Sequence, residues 1–254
     1  MSLEFDLNRL DPATATADCV IVGLHADGSL CAAGQAIDAA SGGRLAALAG
    51  RGDLSGKAGR TGLLLDLPGV TAPRVLVVGL GEAAKFDAAA YIKAVQAATK
   101  ALDKGPVKHA LLCLSDLPVA GRDAGWAIQQ AAVAADHAAY RYTATKSPSK
   151  DNGGRLERLT VQGDAIHREA LESGLGIAAG VKAARHLGDL PPNICNPAYL
   201  ANEARAFAEA NAGVECEVLE REDMAKLGMD AILAVARGSA NAPKLVVLRW
   251  NGAG

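Results

Sequence analysis

Residues 77–87, VVGLGEAAKFD, contain glycines at a spacing that could bind the phosphates of a nucleotide. This stretch lies between an apolar strand pattern and a helical pattern, which is the setting of a dinucleotide-binding loop. Gly79 and Gly81 fit the first two glycines of a G-x-G-x-x-G motif, but Ala84 occupies the third position. The expected strand-end acid about 20 residues further on is also missing. Two interpretations stay open: a stand-alone nucleotide- or ADP-ribose-binding module, or a sharp turn off a buried strand.

Cysteines and histidines are the other candidate nucleophiles and metal ligands. The five cysteines show no CxxC spacing, and the five histidines form no HxxxH or HxH pair. Wide separation, an odd count and an N-terminus unlike a secretory signal predict reduced, mostly buried thiols. The cysteines are Cys19, Cys31, Cys113, Cys195 and Cys216, and the histidines are His25, His109, His137, His167 and His186.

Sequence motifs of the common hydrolases are missing from the 254 residues. There is no GxSxG, no HExxH, no Walker loop and no pair of carboxylates spaced for a designed site. The small-residue loop RGSANAPK, residues 237–244, could approach a ligand, but it also fits a plain connection to the next strand. The sequence therefore assigns no catalytic, no cofactor-binding and no metal-binding residue within this chain.

The elements that would position any site alternate between strand and helix. Apolar runs predict strands at 18–24, 61–67, 74–80, 107–114, 155–162, 214–220 and 244–250. Helices are predicted at 30–49 with a break at Gly42-Gly43, at 87–102 with Asp87 as N-cap, at 122–142, 165–187 and 198–211, and just after Arg221. This order predicts an α/β fold with a mainly parallel sheet flanked by helices.

Composition bounds the kind of protein. Half of the residues are hydrophobic, about a fifth are charged, and the formal net charge is −2. That balance argues against a nucleic-acid or anionic-membrane surface, and no apolar run reaches the roughly 20 residues of a membrane span. We expect a cytoplasmic protein.

A polar segment and a proline-rich connection divide the chain into parts. The polar segment 143–155 predicts an exposed loop, and the stretch HLGDLPPNICNP at 186–197 must end a long helix because its prolines fix φ. Asn193 and Asn196 can bond nearby backbone amides and set up the N-terminus of the helix that follows. The expected organisation is an N-terminal α/β domain at 1–163, a linking helix at 164–190 and the start of a second α/β domain at 191–254.

Two ordered motifs resemble the cytosolic leucine aminopeptidases, which are dinuclear-metal peptidases that form hexamers. The first, R-x-L-x-x-x-P-x-N-x-x-x-P, is matched within residues 180–208. The second, around G-S-x-x-x-P-x-L in that family, is matched within residues 219–252, with Trp250 where tyrosine is usual. The matching residues are Arg185, Leu187, Pro191, Asn193, Pro197, Met224, Leu227, Met229, Leu233, Val235, Gly238, Ser239, Pro243, Leu245, Leu248 and Gly252.

This resemblance implies a macro-domain-like N-terminal domain followed by the incomplete, truncated start of a peptidase catalytic domain. It implies a leucyl aminopeptidase acting on peptides with two divalent metal ions, Mn or Zn, and assembling as a hexamer. The family's lysine- and carboxylate-bearing stretches do not occur in this sequence, so the resemblance places the metal ligands beyond Gly254 and predicts that the chain alone is inactive. A DNA-binding role, known for some family members, is opposed by the net charge of −2.

Overall fold

The computed structural model describes residues 3–147 and 155–252 and divides the chain into two compact units. The first unit contains residues 1–141 and 146–182, and the second contains 142–145 and 183–254. The division falls inside a helix, between Lys182 and Ala183. The sequence-based domain limits at 163 and 190 stay predictions. Residues 148–154 of the predicted polar loop lie outside the described residues.

Eight strands and eight α-helices are described. The strands are β1 (Glu4–Asn8), β2 (Cys19–His25), β3 (Thr61–Leu65), β4 (Arg74–Gly81), β5 (His109–Leu112), β6 (Arg158–Gln162), β7 (Val214–Leu219) and β8 (Leu245–Trp250). The helices are α1 (Ala32–Ala40), α2 (Arg44–Gly50), α3 (Ala88–Leu102), α4 (Ala124–Ala139), α5 (Arg168–Asp189), α6 (Pro197–Ala210), α7 (Arg221–Lys226) and α8 (Asp230–Ala236).

A six-stranded sheet forms the centre of the first unit, with the order β1-β6-β5-β2-β4-β3. Every neighbouring pair is parallel except β3 with β4. All seven residues of β2 are buried, as a central parallel strand covered on both faces requires. The predicted α/β fold with a mainly parallel sheet is confirmed.

Strand β1 was missing from the sequence-based elements. Its five residues alternate between exposed and buried positions, and only Leu7 is fully buried. The strand lies at the edge of the sheet and pairs in parallel with β6, with Phe5 opposite Leu159. Its backbone partner is more than 150 residues away, so no local pattern reveals the pairing. Helix α8 was missed as well, because it is only seven residues long and buries no side chain.

Local signals in the sequence set several helix ends correctly. Asp87 accepts a hydrogen bond from the Ala90 N–H at 2.9 Å and caps α3. Gly42 and Gly43 both have positive φ, and they separate α1 from α2. Asp123 caps α4 in the same way as Asp87 caps α3. Helices α3 and α4 pack against each other, and the buried Tyr91 hydroxyl donates to the Ala127 carbonyl at 2.9 Å.

The second unit begins in the last part of α5 and contains a two-stranded antiparallel sheet, β7 with β8. Asn196 caps α6 by accepting from the Tyr199 N–H at 3.1 Å, and Pro197 is the first residue of the helix. This is the predicted restart after the proline-rich stretch. Among the described residues, none of the helices combines the length and apolar character that a membrane crossing requires.

Candidate functional site

The glycine loop at the end of β4 is filled by the chain itself. The segment before β3 lies across the loop: the Gly79 N–H donates to the Arg60 carbonyl at 2.7 Å, and the Gly81 N–H donates to the Gly56 carbonyl at 2.8 Å. A dinucleotide-binding loop needs such N–H groups free to meet the phosphates. Both are already used, so the geometry favours the sharp turn over the nucleotide module.

The rest of the motif agrees with this interpretation. Ala84 lies in a short 3-10 turn, and the Glu82 carboxylate pairs with the Lys85 ammonium at 2.8 Å on the surface. Gly81 has a φ of 84°, which a glycine adopts without strain. The glycines are required by the backbone path, and this requirement accounts for their spacing.

A cavity of about 270 Å³ lies instead at the carboxyl ends of the neighbouring strands β2 and β5. From β2 the chain passes to β3 and then β4 on one side, and it then crosses to β5 on the other side. The chain therefore reverses its direction of travel across the sheet between β2 and β5. Open α/β sheets bind ligands in the crevice at this topological switch point. We call this space the switch-point cavity.

Three segments line the switch-point cavity. The first runs from the end of β2 into α1, the second follows β5, and the third is Gln162 at the end of β6. Gln162 is held in place because its side-chain amide bonds the backbone of Leu10 in both directions, at 3.2 and 2.9 Å. The Ser115 hydroxyl donates to the Gln162 carbonyl and fixes the loop after β5.

His25 enters the cavity through an irregularity in the sheet. The register between β2 and β4 shifts after Leu24, so that Leu24 lies opposite Gly79 but His25 lies opposite Gly81. Bulges of this kind redirect a side chain. The His25 ring is nine-tenths buried, its Nδ1 lies 3.3 Å from the Gly81 carbonyl oxygen, and its edge meets the Phe86 ring.

Two buried cysteines contribute uncharged groups to the cavity wall. The Cys31 sulfur caps α1 and accepts from the N–H groups of Gly23 and Gly34 at 3.1 and 3.4 Å. Burial raises the pKa of both the Cys31 and the Cys113 thiols. Since the thiolate is the nucleophile and the metal ligand, neither side chain is activated for such chemistry at neutral pH.

Sequence reasoning missed the switch-point cavity. The available signal was positional: the segments HADGSLCAA at 25–33 and LSDLP at 114–118 each follow a predicted parallel strand. The strand order across the sheet was also needed, and no local pattern gives that order. The five cysteines are all free, with Cys19, Cys31 and Cys113 buried and Cys195 and Cys216 half-buried.

In the second unit, the residues of the two family motifs lie in helices, in β8 and in the connections between elements. Arg185 and Leu187 lie near the end of α5, and Pro191 begins the turn that leads to α6. Met224 is fully buried in α7. The segment 237–244 connects α8 to β8.

One ion pair fixes the end of that connection. The Lys244 ammonium contacts both carboxylate oxygens of Glu220, at 2.6 and 2.5 Å, with the lysine side chain only 16% exposed. This contact ties the start of β8 to the residue before α7. The segment 237–244 is therefore a connection whose end is held by an ion pair, and its structure is explained without a ligand contact.

Within residues 3–147 and 155–252, no three histidine, cysteine or acidic side chains are grouped so that they could hold a metal ion. The assignment of no catalytic, cofactor-binding or metal-binding residue to this chain stays a prediction.

Family models match both parts of the chain. The model for the cytosol aminopeptidase family, N-terminal domain, matches residues 21–149, and the model for the catalytic domain of the same family matches residues 182–254. The order of the two matches is the order that the sequence motifs predict.

Curated relatives align over the whole chain. A probable cytosol aminopeptidase of Xylella fastidiosa (strain M23) is 56% identical over 254 residues, which are 100% of this chain and 52% of the relative. A probable cytosol aminopeptidase of Stenotrophomonas maltophilia (strain K279a) is 57% identical over 100% of this chain and 51% of its own length. The chain thus spans about half the length of the curated relatives it matches.

Solved structures share the fold. The bottromycin maturation enzyme BotP in complex with Mn has a TM-score of 0.73 and 28% identity over 92% of this chain and 45% of its own. A tomato leucine aminopeptidase mutant has a TM-score of 0.83 and 24% identity, covering 99% of this chain and 51% of its own. With these matches the predicted resemblance is confirmed: the chain belongs to the cytosol aminopeptidase family.

Proposed function

We propose that this chain is part of a metal-dependent leucyl aminopeptidase that removes N-terminal amino acids from peptides. The observation that carries the proposal is the match of residues 182–254 to the family's catalytic domain, in a chain 56% identical to a probable cytosol aminopeptidase. The relatives extend over about twice this length. In the proposal, the 254 residues supply the N-terminal domain and the opening elements of the catalytic domain.

The metal site lies outside these residues in this proposal. The described residues bring no three suitable ligands together, so they do not fit a divalent cation, and no hydrolytic step is derived from them. Support for two divalent metal ions, Mn or Zn, comes from the family resemblance and from the solved Mn complex of a protein 28% identical to this chain. Such a metal pair activates water and polarises a scissile carbonyl in other two-metal hydrolases.

The contribution of this chain is structural in the proposal. Asn196 and Pro197 start α6 at a defined position, and the Lys244–Glu220 ion pair fixes the entry to β8. A two-stranded sheet alone is marginally stable, and β8 leaves Leu248 and Trp250 48% and 73% exposed. These features suit a sheet that further strands of a catalytic domain would complete.

The remaining parts of the proposal follow the family. We infer a cytoplasmic enzyme, a hexamer and a preference for leucine-like N-terminal residues. Neither the nucleotide-binding alternative nor a nucleic-acid-binding role gains a supporting contact from the described residues.

The test is a peptidase assay on a protein extended to the length of the relatives. We expect release of leucine from leucyl amide in the presence of manganese or zinc, and loss of that release after addition of a chelator. Size-exclusion chromatography of the same sample with light scattering measures the hexamer. Absence of any metal-dependent release from several N-terminal residue types would overturn the proposal.

A further inference from the structure

We propose that strand β3 is a dimerisation site, at which it pairs with β3 of a second copy of this chain in antiparallel orientation about Leu63. Strand β3 is the last strand in the order of the six-stranded sheet, and among the described residues it pairs with β4 alone. An unpaired sheet edge is a template for another strand. The inference does not rest on the proposed function, because β3 belongs to the first unit and no metal or peptide takes part.

The backbone groups of β3 alternate between β4 and the open edge. The Gly79 N–H donates to the Arg60 carbonyl at 2.7 Å, and the Asp66 N–H donates to the Pro73 carbonyl at 3.0 Å. The register between the two strands is unbroken, so the even-numbered residues of β3 direct their N–H and C=O groups to β4 and the odd-numbered ones to the edge. Within the described residues these outer groups have no hydrogen-bond partner. The odd-numbered residues are Thr61, Leu63 and Leu65.

Charged residues at the two ends of β3 specify how a second copy pairs. Arg60 precedes the strand and Asp66 follows it, and both are exposed. Neither side chain forms an ion pair with the described residues. Antiparallel pairing about Leu63 places Arg60 of each copy opposite Asp66 of the other, which is a favourable cross-strand pair.

Other arrangements of the two strands lose this complementarity. Parallel pairing in the same register would place like charges side by side, which is unfavourable. A slip of two residues in the antiparallel pair would leave each charge opposite an uncharged residue. In the register about Leu63, the outer N–H and C=O groups of both copies also meet in reciprocal pairs.

The outer face of β3 is apolar. Leu63 and Leu65 are 48% and 62% exposed, whereas Leu64 on the other face packs against the core. Edge strands are often protected by a lysine, a proline or a bulge, and β3 contains none of these. Pairing about Leu63 joins the exposed leucines of the two copies into one strip and removes part of their surface from water.

The size of the contact predicts a weak dimer. A five-residue strand is about 17 Å long. One pair of such strands buries less than the roughly 800 Å² per partner of a standard interface. We therefore expect reversible dimerisation with a Kd between about 10 μM and 1 mM.

The experiment is sedimentation equilibrium of the 254-residue chain at concentrations up to about 1 mM, where we expect a monomer–dimer equilibrium. Leu63→Lys puts two ammonium groups opposite each other and should raise the Kd at least about tenfold. The matched control is Ile166→Lys, which adds the same charge in the first unit at a residue that is 80% exposed and lies outside β3. This control should leave the Kd unchanged.

Charge reversal tests the register. Arg60→Asp alone brings two acids together at each end of the paired strands and should raise the Kd about threefold to tenfold. Adding Asp66→Arg to that variant restores opposite charges and should return the Kd toward that of the parent chain. Circular dichroism checks that each variant is folded. A double variant that dimerises no better than Arg60→Asp would overturn the proposed pairing.

Amide hydrogen exchange locates the contact. Raising the protein concentration should slow exchange of the outward N–H groups of Thr61, Leu63 and Leu65. Exchange at Gly62 and Leu64 should stay the same, since their N–H groups already face β4. A chain that stays monomeric up to about 1 mM, a dimer that Leu63→Lys leaves unchanged, or slowing confined to other segments would each overturn the proposal.

Discussion

The carbonyl oxygen of Lys57 occupies the space that a side chain on Gly79 would need. A Cβ atom built on Gly79 would overlap this oxygen and would also lie 2.8 Å from the Ser55 carbonyl oxygen. The contact brings the segment before β3 against the end of β4, where hydrogen bonds from Gly79 and Gly81 hold it. Glycine is therefore required at this position by close packing of two backbone segments.

Gly79→Ala should lower the free energy of unfolding by about 3 kcal/mol, because neither backbone can move away easily. Gly81→Ala should cost about 1–2 kcal/mol, since its φ of 84° is strained for alanine. The matched control is Gly180→Ala, where a Cβ on α5 would meet nothing within 4 Å and should be neutral or stabilising. Urea denaturation measures all three. A stable Gly79→Ala variant that gains nucleotide binding would contradict this account of the loop.

The second prediction concerns the ion pair between Asp103 and Arg141. The Arg141 guanidinium donates to the Asp103 carboxylate from Nε at 3.0 Å and from Nη2 at 2.8 Å, and Asp103 is only 6% exposed. The other carboxylate oxygen, Oδ1, is buried without a partner among the described residues. Arg141→Ala should therefore destabilise the first unit by about 1–3 kcal/mol, because it leaves a buried carboxylate uncompensated.

The control for that variant is Arg51→Ala. Its partner Asp53 is exposed, with side chains 67% and 58% accessible, so the loss should be below about 1 kcal/mol. Thermal unfolding of both variants gives the comparison. Equal destabilisation by the two substitutions would show that burial of Asp103 is not what makes its ion pair important.

The third prediction is a dependence of stability on pH that involves Asp18. Its carboxylate accepts from the N–H groups of Lys108 and His109 at 2.9 and 3.0 Å, joining the start of β2 to the start of β5. The hydrogen bond from His109, followed by that from Lys108, holds the pKa of Asp18 below its usual value against an opposing effect of burial. Because the pKa of Asp18 is lower in the folded state than in the unfolded state, its charge stabilises the folded state at pH values above the unfolded-state pKa. This stabilisation is lost as the pH falls through the folded-state pKa.

Asp18→Asn should accordingly cost about 1 kcal/mol at neutral pH. The difference from the parent chain should shrink as the pH falls below about 4, the usual range of an aspartate. Denaturation curves at several pH values measure this difference, and Asp66→Asn serves as a control whose carboxylate accepts no hydrogen bond from the described residues. A difference that stays constant down to strongly acidic pH would contradict the assigned role of the Asp18 charge.

The fourth prediction is that the five thiols fall into two reactivity classes. Burial raises the pKa of Cys19 to about 12 and raises those of Cys31 and Cys113 as well. Cys195 and Cys216 are only half-buried. Since the thiolate reacts, a thiol-reactive disulfide reagent should modify two cysteines quickly and three only after unfolding. The fast phase should disappear in a chain with both Cys195→Ser and Cys216→Ser, and a third fast thiol would contradict the described burial.

Much of the fold could be predicted because its signals are local. Asp87 precedes a periodic helical segment, Gly42 and Gly43 interrupt another, and Asn196 with Pro197 opens a third. Each of these residues acts through its own backbone neighbours, so a short stretch of sequence contains the information. The family motifs at 180–208 and 219–252 worked in the same way, because they are long and ordered.

The parts that were missed depend on contacts between distant segments. Strand β1 is defined by its pairing with β6, and the switch-point cavity is defined by β2, β5 and β6 meeting at one edge. The spacing of Gly79 and Gly81 did not reveal that the 56–60 segment would cover them. That contact distinguishes the sharp-turn interpretation of the glycines from the nucleotide-binding interpretation.

We infer that these residues belong to an aminopeptidase whose metal ligands lie elsewhere in its sequence. The most direct measurement is leucine release from leucyl amide by the 254-residue chain in excess manganese or zinc, with and without a chelator. We expect no release above the uncatalysed rate under any of these conditions, because the described residues do not assemble a metal site. Release that requires the metal and stops with the chelator would contradict this inference.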